Sequence, residues 1–336
     1  MSARDTILVT GGAGFVGSHF ARLAGEAGSQ VIVLDDLSGA PDWPELPSAL
    51  APSRITRVRG DVADRVLVRK LIEERRVTAI VHFAGKICVG ESVVNPALYF
   101  EHNVARSLAL LDIVREVGPR VFLFSSTAAV YGEPKTTPIA ESARYAPVNP
   151  YGATKLAIEH AIASYGPAYG IRWGVLRYFN AAGAHPDGTL RESHDPETHL
   201  IPLAIDAGLG RRPPLTVFGG DYPTKDGTCV RDYVHVCDLA RAHLSALDAL
   251  DNGKEIGAVN LGSGQGYTVR DVLATTARVL GCEVPHAVGP RRAGDPAELV
   301  ASNALARQVL NWKPERDDLG TIIEDAVRSR RDRSTG

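Results

Sequence analysis

Short runs rich in β-branched residues alternate with helical stretches through the first half of this 336-residue chain. Residues 7–10, 31–35, 55–59, 79–83, 121–125 and 171–178 read as strands. Residues 15–27, 65–74, 97–117 and 151–169 carry apolar side chains at three- and four-residue spacing and read as crossover helices. That rhythm dictates βαβ units and a parallel sheet. Val31, Ile32, Val33 and Leu34 leave their strand no polar side, as expected where helices cover both faces. Composition permits such a core, with 44% of residues apolar and 23% charged. No apolar run approaches the ~20 residues of a membrane span. The 37 basic and 39 acidic side chains leave a formal charge of −2, so neither nucleic acid nor a membrane is expected as a partner.

After residue 178 the pattern loosens into AAGAHPDGTLRESHDPET (181–198), too long for an ordinary connector and therefore a functional loop or a change of domain. Beyond it, residues 201–208, 236–250, 269–280 and 319–328 read as helices and residues 215–218 and 258–261 as strands. The expected organisation is a dinucleotide-binding unit at 1–180, with 236–265 returning to it, and a smaller mixed α/β substrate-binding unit at 181–235 and 266–336. Pro41, Pro44, Pro47 and Pro52 mark an irregular excursion after the second strand. Cys88, Cys229, Cys237 and Cys282 form no C-x-x-C pair and read as reduced thiols of a cytoplasmic protein; the N-terminus lacks the apolar stretch of a signal peptide, so export is not expected. No metal site is expected, because the histidines show no ligand spacing and a Pro-containing loop separates His194 from His199.

The segment GGAGFVGS, from Gly11 to Ser18, joins the first strand to the first helix. The first glycines permit a tight turn, Gly14 lets the backbone approach a pyrophosphate, and Gly17 lets helix and strand pack closely; the free N–H groups of the helix face the anion. Asp35, eighteen residues past Gly17, stands at the next strand end, where a carboxylate accepts hydrogen bonds from the adenosine ribose. Asp36 adds a second negative charge and no Arg or Lys follows until Arg54, so NAD is expected rather than NADP. These features define a Rossmann-type doubly wound sheet.

Asn149, Pro150, Tyr151 and Lys155 combine a helix cap, a first-turn proline and a Tyr-x-x-x-Lys pair on one helical face. Lowering a phenol from ~10 by about 3 units takes ~4 kcal/mol of preferential phenolate stabilisation. A lysine ammonium and an oxidised nicotinamide are charges able to supply it. FSSTAAVYG, from Phe124 to Gly132, places hydroxyls at the carboxyl end of a buried strand, where open α/β sheets bind ligands. Position favours chemistry for Thr127 and a structural role for Ser125.

Together these motifs resemble the extended short-chain dehydrogenase/reductase superfamily. HFAG from His82, VGES from Val89, LRYFN from Leu176 and the long block FGGDYPTKDGTCVRDYVHV from Phe218 to Val236, followed by Asp238, Leu239 and Ala240, narrow the resemblance to its UDP-glucose 4-epimerase family, over residues 7 to about 312. The resemblance implies that NAD contacts Phe15, Val16, Asp35, Asp36, Asp61, Val62, Phe83, Ala84, Asn103, Tyr151, Lys155 and Phe179. It implies that a UDP-sugar meets Thr127, Tyr151, Asn180, Leu200, Thr216, Phe218, Arg231, Arg292 and Asp295. Guanidinium forks suit a diphosphate, and Phe218 offers an apolar face to uracil. His199 stands where Asn is usual and Leu299 where a bulky Tyr accompanies preference for plain hexoses; Leu299 suggests a pocket that also takes N-acetylhexosamines, and His199 is a candidate phosphate contact.

The implied reaction oxidises the hexose 4-hydroxyl with Tyr151 as base, turns the 4-keto ring about the diphosphate and reduces its other face. The rival is a nucleotide-sugar 4,6-dehydratase, whose members carry Asp-Glu after the active-site Thr where this chain has Ala128 and Ala129. A non-catalytic dinucleotide sensor is a third reading. Homodimerisation through the helices after the fourth and fifth strands is implied by resemblance alone.

Overall fold

A strand with no polar side needs helices on both its faces, and β1 (Thr6–Thr10) shows how the chain supplies them. Ile7 and Val9 point into one core with Phe20, Ala24, Leu239 and Leu247, while Leu8 points into the other with Ile80, Leu111 and Ile158. All three strand residues are fully buried, each such side chain being worth roughly 1.5–3 kcal/mol relative to exposure. The computed structural model describes residues 6–40, 42–46, 50, 53–292 and 295–331.

From β1 the chain passes through α1 (Phe15–Glu26), β2 (Gln30–Asp35), β3 (Ile55–Arg59) and α2 (Arg65–Glu74) to β4 (Ala79–His82). α3 (Val89–Val94), α4 (Pro96–Tyr99) and α5 (Arg106–Val117) lead to β5 (Val121–Thr127), and α6 (Pro150–Tyr169) to β6 (Arg172–Tyr178). Next come β7 (Asn180–Ala182), α7 (Leu200–Gly208), β8 (Leu215–Phe218), β9 (Val230–Arg231), β10 (Tyr233–His235), α8 (Val236–Asp251) and β11 (Gly257–Leu261). β12 (Tyr267–Thr268), α9 (Val269–Leu280), β13 (His286–Gly289), β14 (Glu298–Leu299), α10 (Ala304–Leu310) and α11 (Leu319–Arg331) complete the described elements.

The main sheet is parallel, ordered β11-β6-β5-β4-β1-β2-β3. The chain runs outward from β1 through β2 to β3 and then crosses back to β4 on the other side, which makes the carboxyl ends of β1 and β4 the switch point where such sheets bind ligands. β11 adds the edge strand beside β6, and α8 shares one core with α1. The predicted Asn cap holds, since Asn149 Oδ1 accepts from Gly152 N at 2.8 Å, and α6 ends at the left-handed Gly170.

Three expectations need correction. Residues 97–117 are not one regular helix, because a π-helical segment at Phe100–Ala105 separates α4 from α5; the wider turn carries Asn103 inward, where its amide bonds the Lys86 backbone. β5 runs two residues past Ser125 and delivers Thr127 at its tip. The second half also holds short strands that its irregular pattern hides, β7 paired with β10, β9 between β12 and β14, and β13 beside the expected strand β8. Of the four prolines in the excursion, only Pro44 is described; Pro41, Pro47 and Pro52 lie outside the described residues.

Candidate active site

At the switch point, backbone meets backbone. Gly11 has φ +70°, and a Cβ there would stand 2.4 Å from Ala84 N, next to the carbonyl carbon of Phe83. A Cβ on Gly17 would stand 2.4 Å from Gly11 O. Gly14 precedes α1 without any side-chain cap, so the first-turn N–H groups of Phe15 and Val16 have no intrahelical acceptor. Asp35 turns one carboxylate oxygen to Ala13 N at 2.9 Å and the other to Leu37 N at 2.8 Å. Burial pushes this carboxyl up against the pull of those two N–H groups. A close backbone turn, an uncapped helix start and a carboxylate with spare lone pairs fit the pyrophosphate and adenosine ribose of a dinucleotide.

Around Asp36 the fold brings in a charge from a distant segment. Arg106 reaches in from α5, 2.6 Å from Asp61 and 3.7 Å from Asp36. A cation therefore does stand by Asp36, from far beyond the cation-free stretch before Arg54, and it pairs with two carboxylates. Val62 is buried in the core beneath, with Leu34 and Ala84 packed in the same cluster.

The chemical groups gather at the tips of β5 and β6. Tyr151 shares a hydrogen bond with the Thr127 hydroxyl, and Tyr178 stands near enough to raise its phenol electrostatically. Tyr178 itself hydrogen-bonds Ser125 through their hydroxyls. One helical turn on from Tyr151, the Lys155 ammonium donates to Ser125 O at 3.1 Å and lies 4.8 Å from the centre of the Phe124 ring. It is also close to Gly85 and Asn103, because a Cβ on Gly85 would stand 3.6 Å from Lys155 Nζ and 3.0 Å from Asn103 Oδ1. Burial pulls Lys155 down to about 8, with Glu159 opposing. Burial, then Tyr178, push the Tyr151 phenol above its ordinary value, while only the Thr127 hydrogen bond opposes them. The lowered phenol expected from sequence is thus not a property of the chain by itself, because desolvation outweighs the local pull.

Behind this face sits a pair that sequence reasoning passed over. Glu159, another turn along α6, receives the Arg177 guanidinium from β6 with Nε 3.0 Å from Oε1; the side chains are 5% and 2% exposed. Ser126 also donates to Glu159, and Arg177 stacks on Tyr131 and Tyr145. The four-residue step from Tyr151 to Lys155 to Glu159 was the available signal.

In the second half of the chain, Thr216 and Phe218 share the exposed face of β8. Arg292 lies 5.5 Å from the centre of the Phe218 ring and binds Asp295 through Nε at 2.9 Å; Arg231 Nη2 stands 3.7 Å from the same carboxylate. Phe218, Arg231, Arg292 and Asp295 therefore form one cluster. Leu299 pairs in register with Arg231 and packs with Phe179 against a group that includes Ala128 and Tyr131, directly beyond Thr127. Asn180 is held by Asp232 O at 2.9 Å. Leu200 opens α7 and packs inward, away from the exposed face of β8.

His199, before Leu200, turns Nδ1 onto Glu192 and Glu197 at 2.9 and 3.0 Å. The expectation that His194 and His199 stay apart is wrong: the loop folds back on itself and their ring centres lie 5.0 Å apart.

A dinucleotide turn, a Tyr/Lys pair at the sheet edge and an arginine-lined second unit define the short-chain dehydrogenase/reductase class acting on a sugar nucleotide. The chain belongs to the NAD dependent epimerase/dehydratase family, whose model matches residues 7–262. It is 48% identical over 320 residues to a UDP-glucose 4-epimerase of Streptomyces lividans, covering 95% of this chain and 94% of that one. Among solved structures it resembles a UDP-glucose 4-epimerase of Brucella ovis in complex with NAD, at 45% identity and TM-score 0.90 over 96% of this chain and 98% of that one. It also resembles the Bifidobacterium longum enzyme in complex with NAD+ and UDP, at 34% identity and TM-score 0.90 over 98% and 99%.

Proposed function

We propose that the chain inverts C4 of a UDP-hexose, interconverting UDP-galactose and UDP-glucose and, less efficiently, the N-acetylhexosamine pair. The observation that carries this reading is the Tyr151 phenol set against the Thr127 hydroxyl, with Lys155 one helical turn on and bonded to Ser125 O, at the carboxyl edge of the sheet beside the close Gly11–Ala84 turn. Bound NAD supplies reversible two-electron oxidation of the C4 alcohol to a ketone. Tyr151 accepts the 4-hydroxyl proton and later returns it, with the Thr127 hydroxyl aligning the phenol. The positive charge of oxidised nicotinamide, with Lys155 one helical turn away, would favour the phenolate against the desolvation that raises the phenol of the NAD-free chain, where the Thr127 hydroxyl alone opposes it. Arg231 and Arg292 hold the diphosphate while Phe218 stacks on the base. The tip beyond Thr127 carries Ala128 and Ala129 instead of an acid and a base, so the ketone is not drained by elimination and the ring turns over. Leu299 walls that space.

In this reading residues 1–180 and 236–265 form the NAD unit and the remainder the sugar-nucleotide unit. The protein works as a homodimer, a reading supported by Val94, Phe100 and Tyr169, which are 86%, 46% and 50% exposed on the helices after β4 and β5. Four free thiols suit the cytoplasm. No described helix is long and apolar enough to cross a membrane.

Tyr151→Phe tests the assignment. Turnover of UDP-galactose falls by at least ~10²-fold while the purified protein still carries NAD. A variant that keeps its turnover would remove Tyr151 from the chemistry.

A further inference from the structure

We propose that Glu192, His194, Glu197 and His199 form a binding site for one first-row divalent cation, Zn2+ being the best match. The proposal is independent of the epimerase reading. One donor atom from each residue lies within 4.8 Å of every other. His199 Nδ1 stands 2.9 Å from Glu192 Oε1 and 3.0 Å from Glu197 Oε1; His194 Nδ1 stands 3.4 Å from Glu192 Oε1 and 3.7 Å from Glu197 Oε2. A tetrahedron with metal–ligand bonds of ~2.0–2.1 Å has edges of roughly 3.3 Å. The four His–Glu separations lie within about 0.4 Å of that edge, and the remaining donor separations, all within 4.8 Å, would close by side-chain rotation as the ion binds.

A second observation points the same way. His194 Nδ1 and Glu197 Oε2 are buried without a hydrogen-bond partner, and both belong to the converging set. The Glu192 side chain is 6% exposed. Two carboxylates withdrawn from water need two positive charges, which the two imidazoles supply when protonated and which a divalent cation would supply by displacing those protons. The other facing cation, Arg330 of α11, stands 3.7 Å from Glu197 Oε2 but places Nη1 against both oxygens of Asp206. Two nitrogens and two oxygens without thiolate suit Zn2+ and its neighbours better than Ca2+ or Mg2+. Four protein ligands make a closed, structural site, which would pin residues 192–199 immediately before Leu200 and α7. His199, 42% exposed, leaves a route for loading.

The full chain, dialysed against chelator, is titrated with Co2+ and then Zn2+, and metal content is measured on protein purified without chelator. One equivalent of Co2+ develops the strong visible absorption of a tetrahedral site, Zn2+ displaces it, and Zn2+ raises the melting temperature by several degrees. His194→Gln and Glu197→Gln each weaken binding at least 100-fold and abolish the melting shift. His185→Gln, outside the cluster, leaves both unchanged. Sub-stoichiometric metal with no visible band and no melting shift in wild type overturns the proposal, as does a band that survives in both cluster variants. Should either variant fold poorly, the wild-type titration alone decides.

Discussion

Replacing Gly11 by Ala puts a methyl where φ is +70° and where a Cβ stands 2.4 Å from Ala84 N, 2.6 Å from Ala84 Cα and 2.8 Å from Phe83 C. All three neighbours are backbone, so no side chain can swing aside. To restore ordinary contact, the β1 turn and the end of β4 must part by about 1 Å in a close-packed interior. The left-handed backbone costs ~1–2 kcal/mol and the forced separation ~1–3 kcal/mol, so Gly11→Ala loses on the order of 2–5 kcal/mol of stability. A displacement of ~1 Å at a binding turn also costs roughly 10² in function. Gly14→Ala is the contrast. Gly14 has φ −70°, and its Cβ would meet only Gly11 O, at 3.3 Å. The polypeptide absorbs that with less than ~1 kcal/mol, but the methyl intrudes where the pyrophosphate approaches. Urea unfolding of NAD-stripped protein and calorimetric NAD titration separate the two effects. Gly11→Ala loses both stability and affinity; Gly14→Ala keeps its stability and binds NAD at least tenfold more weakly. Unchanged unfolding in Gly11→Ala would refute the backbone contact, and wild-type NAD affinity in Gly14→Ala would refute the pyrophosphate placement.

Glu159→Gln leaves Arg177 buried without its counter-charge and costs ~3–5 kcal/mol; urea unfolding shows the loss, and Glu159→Gln combined with Arg177→Met recovers most of it. Lys155 is pulled down to about 8 from 10.5 by burial. Between those values the unfolded chain holds a proton that the folded NAD-free chain does not, so wild-type stability rises with pH across that window. Lys155→Met, which lacks the charge, is therefore more stable than wild type at pH 7 by on the order of 1–3 kcal/mol. The difference shrinks as pH rises from about 8 towards 10.5, which paired unfolding curves would show. Leu299→Tyr, beside Phe179 and Ala128, narrows the sugar space; kcat/KM for UDP-N-acetylgalactosamine relative to UDP-galactose falls at least tenfold, and an unchanged ratio removes Leu299 from specificity.

What sequence alone determined was local. The glycine turn, the strand and helix periods, the Asn149 cap and the shared face of Tyr151 and Lys155 each depend on neighbours within a few residues, where backbone geometry sets spacing whatever the rest of the chain does. Tertiary structure decided everything that needed distant segments to meet. Arg106 meeting Asp36 and Asp61, Arg177 meeting Glu159, and Phe218, Arg231, Arg292 and Asp295 converging all follow from which strands pair and where crossovers end. The loop at 192–199 shows the boundary at close range. Its four donors lie within eight residues, yet no fixed period governs an irregular loop, so only the folded path brings the two imidazoles together. Desolvation likewise belongs to the fold, because the raised Tyr151 and lowered Lys155 follow from the layers that bury them and not from the spacing that places them side by side.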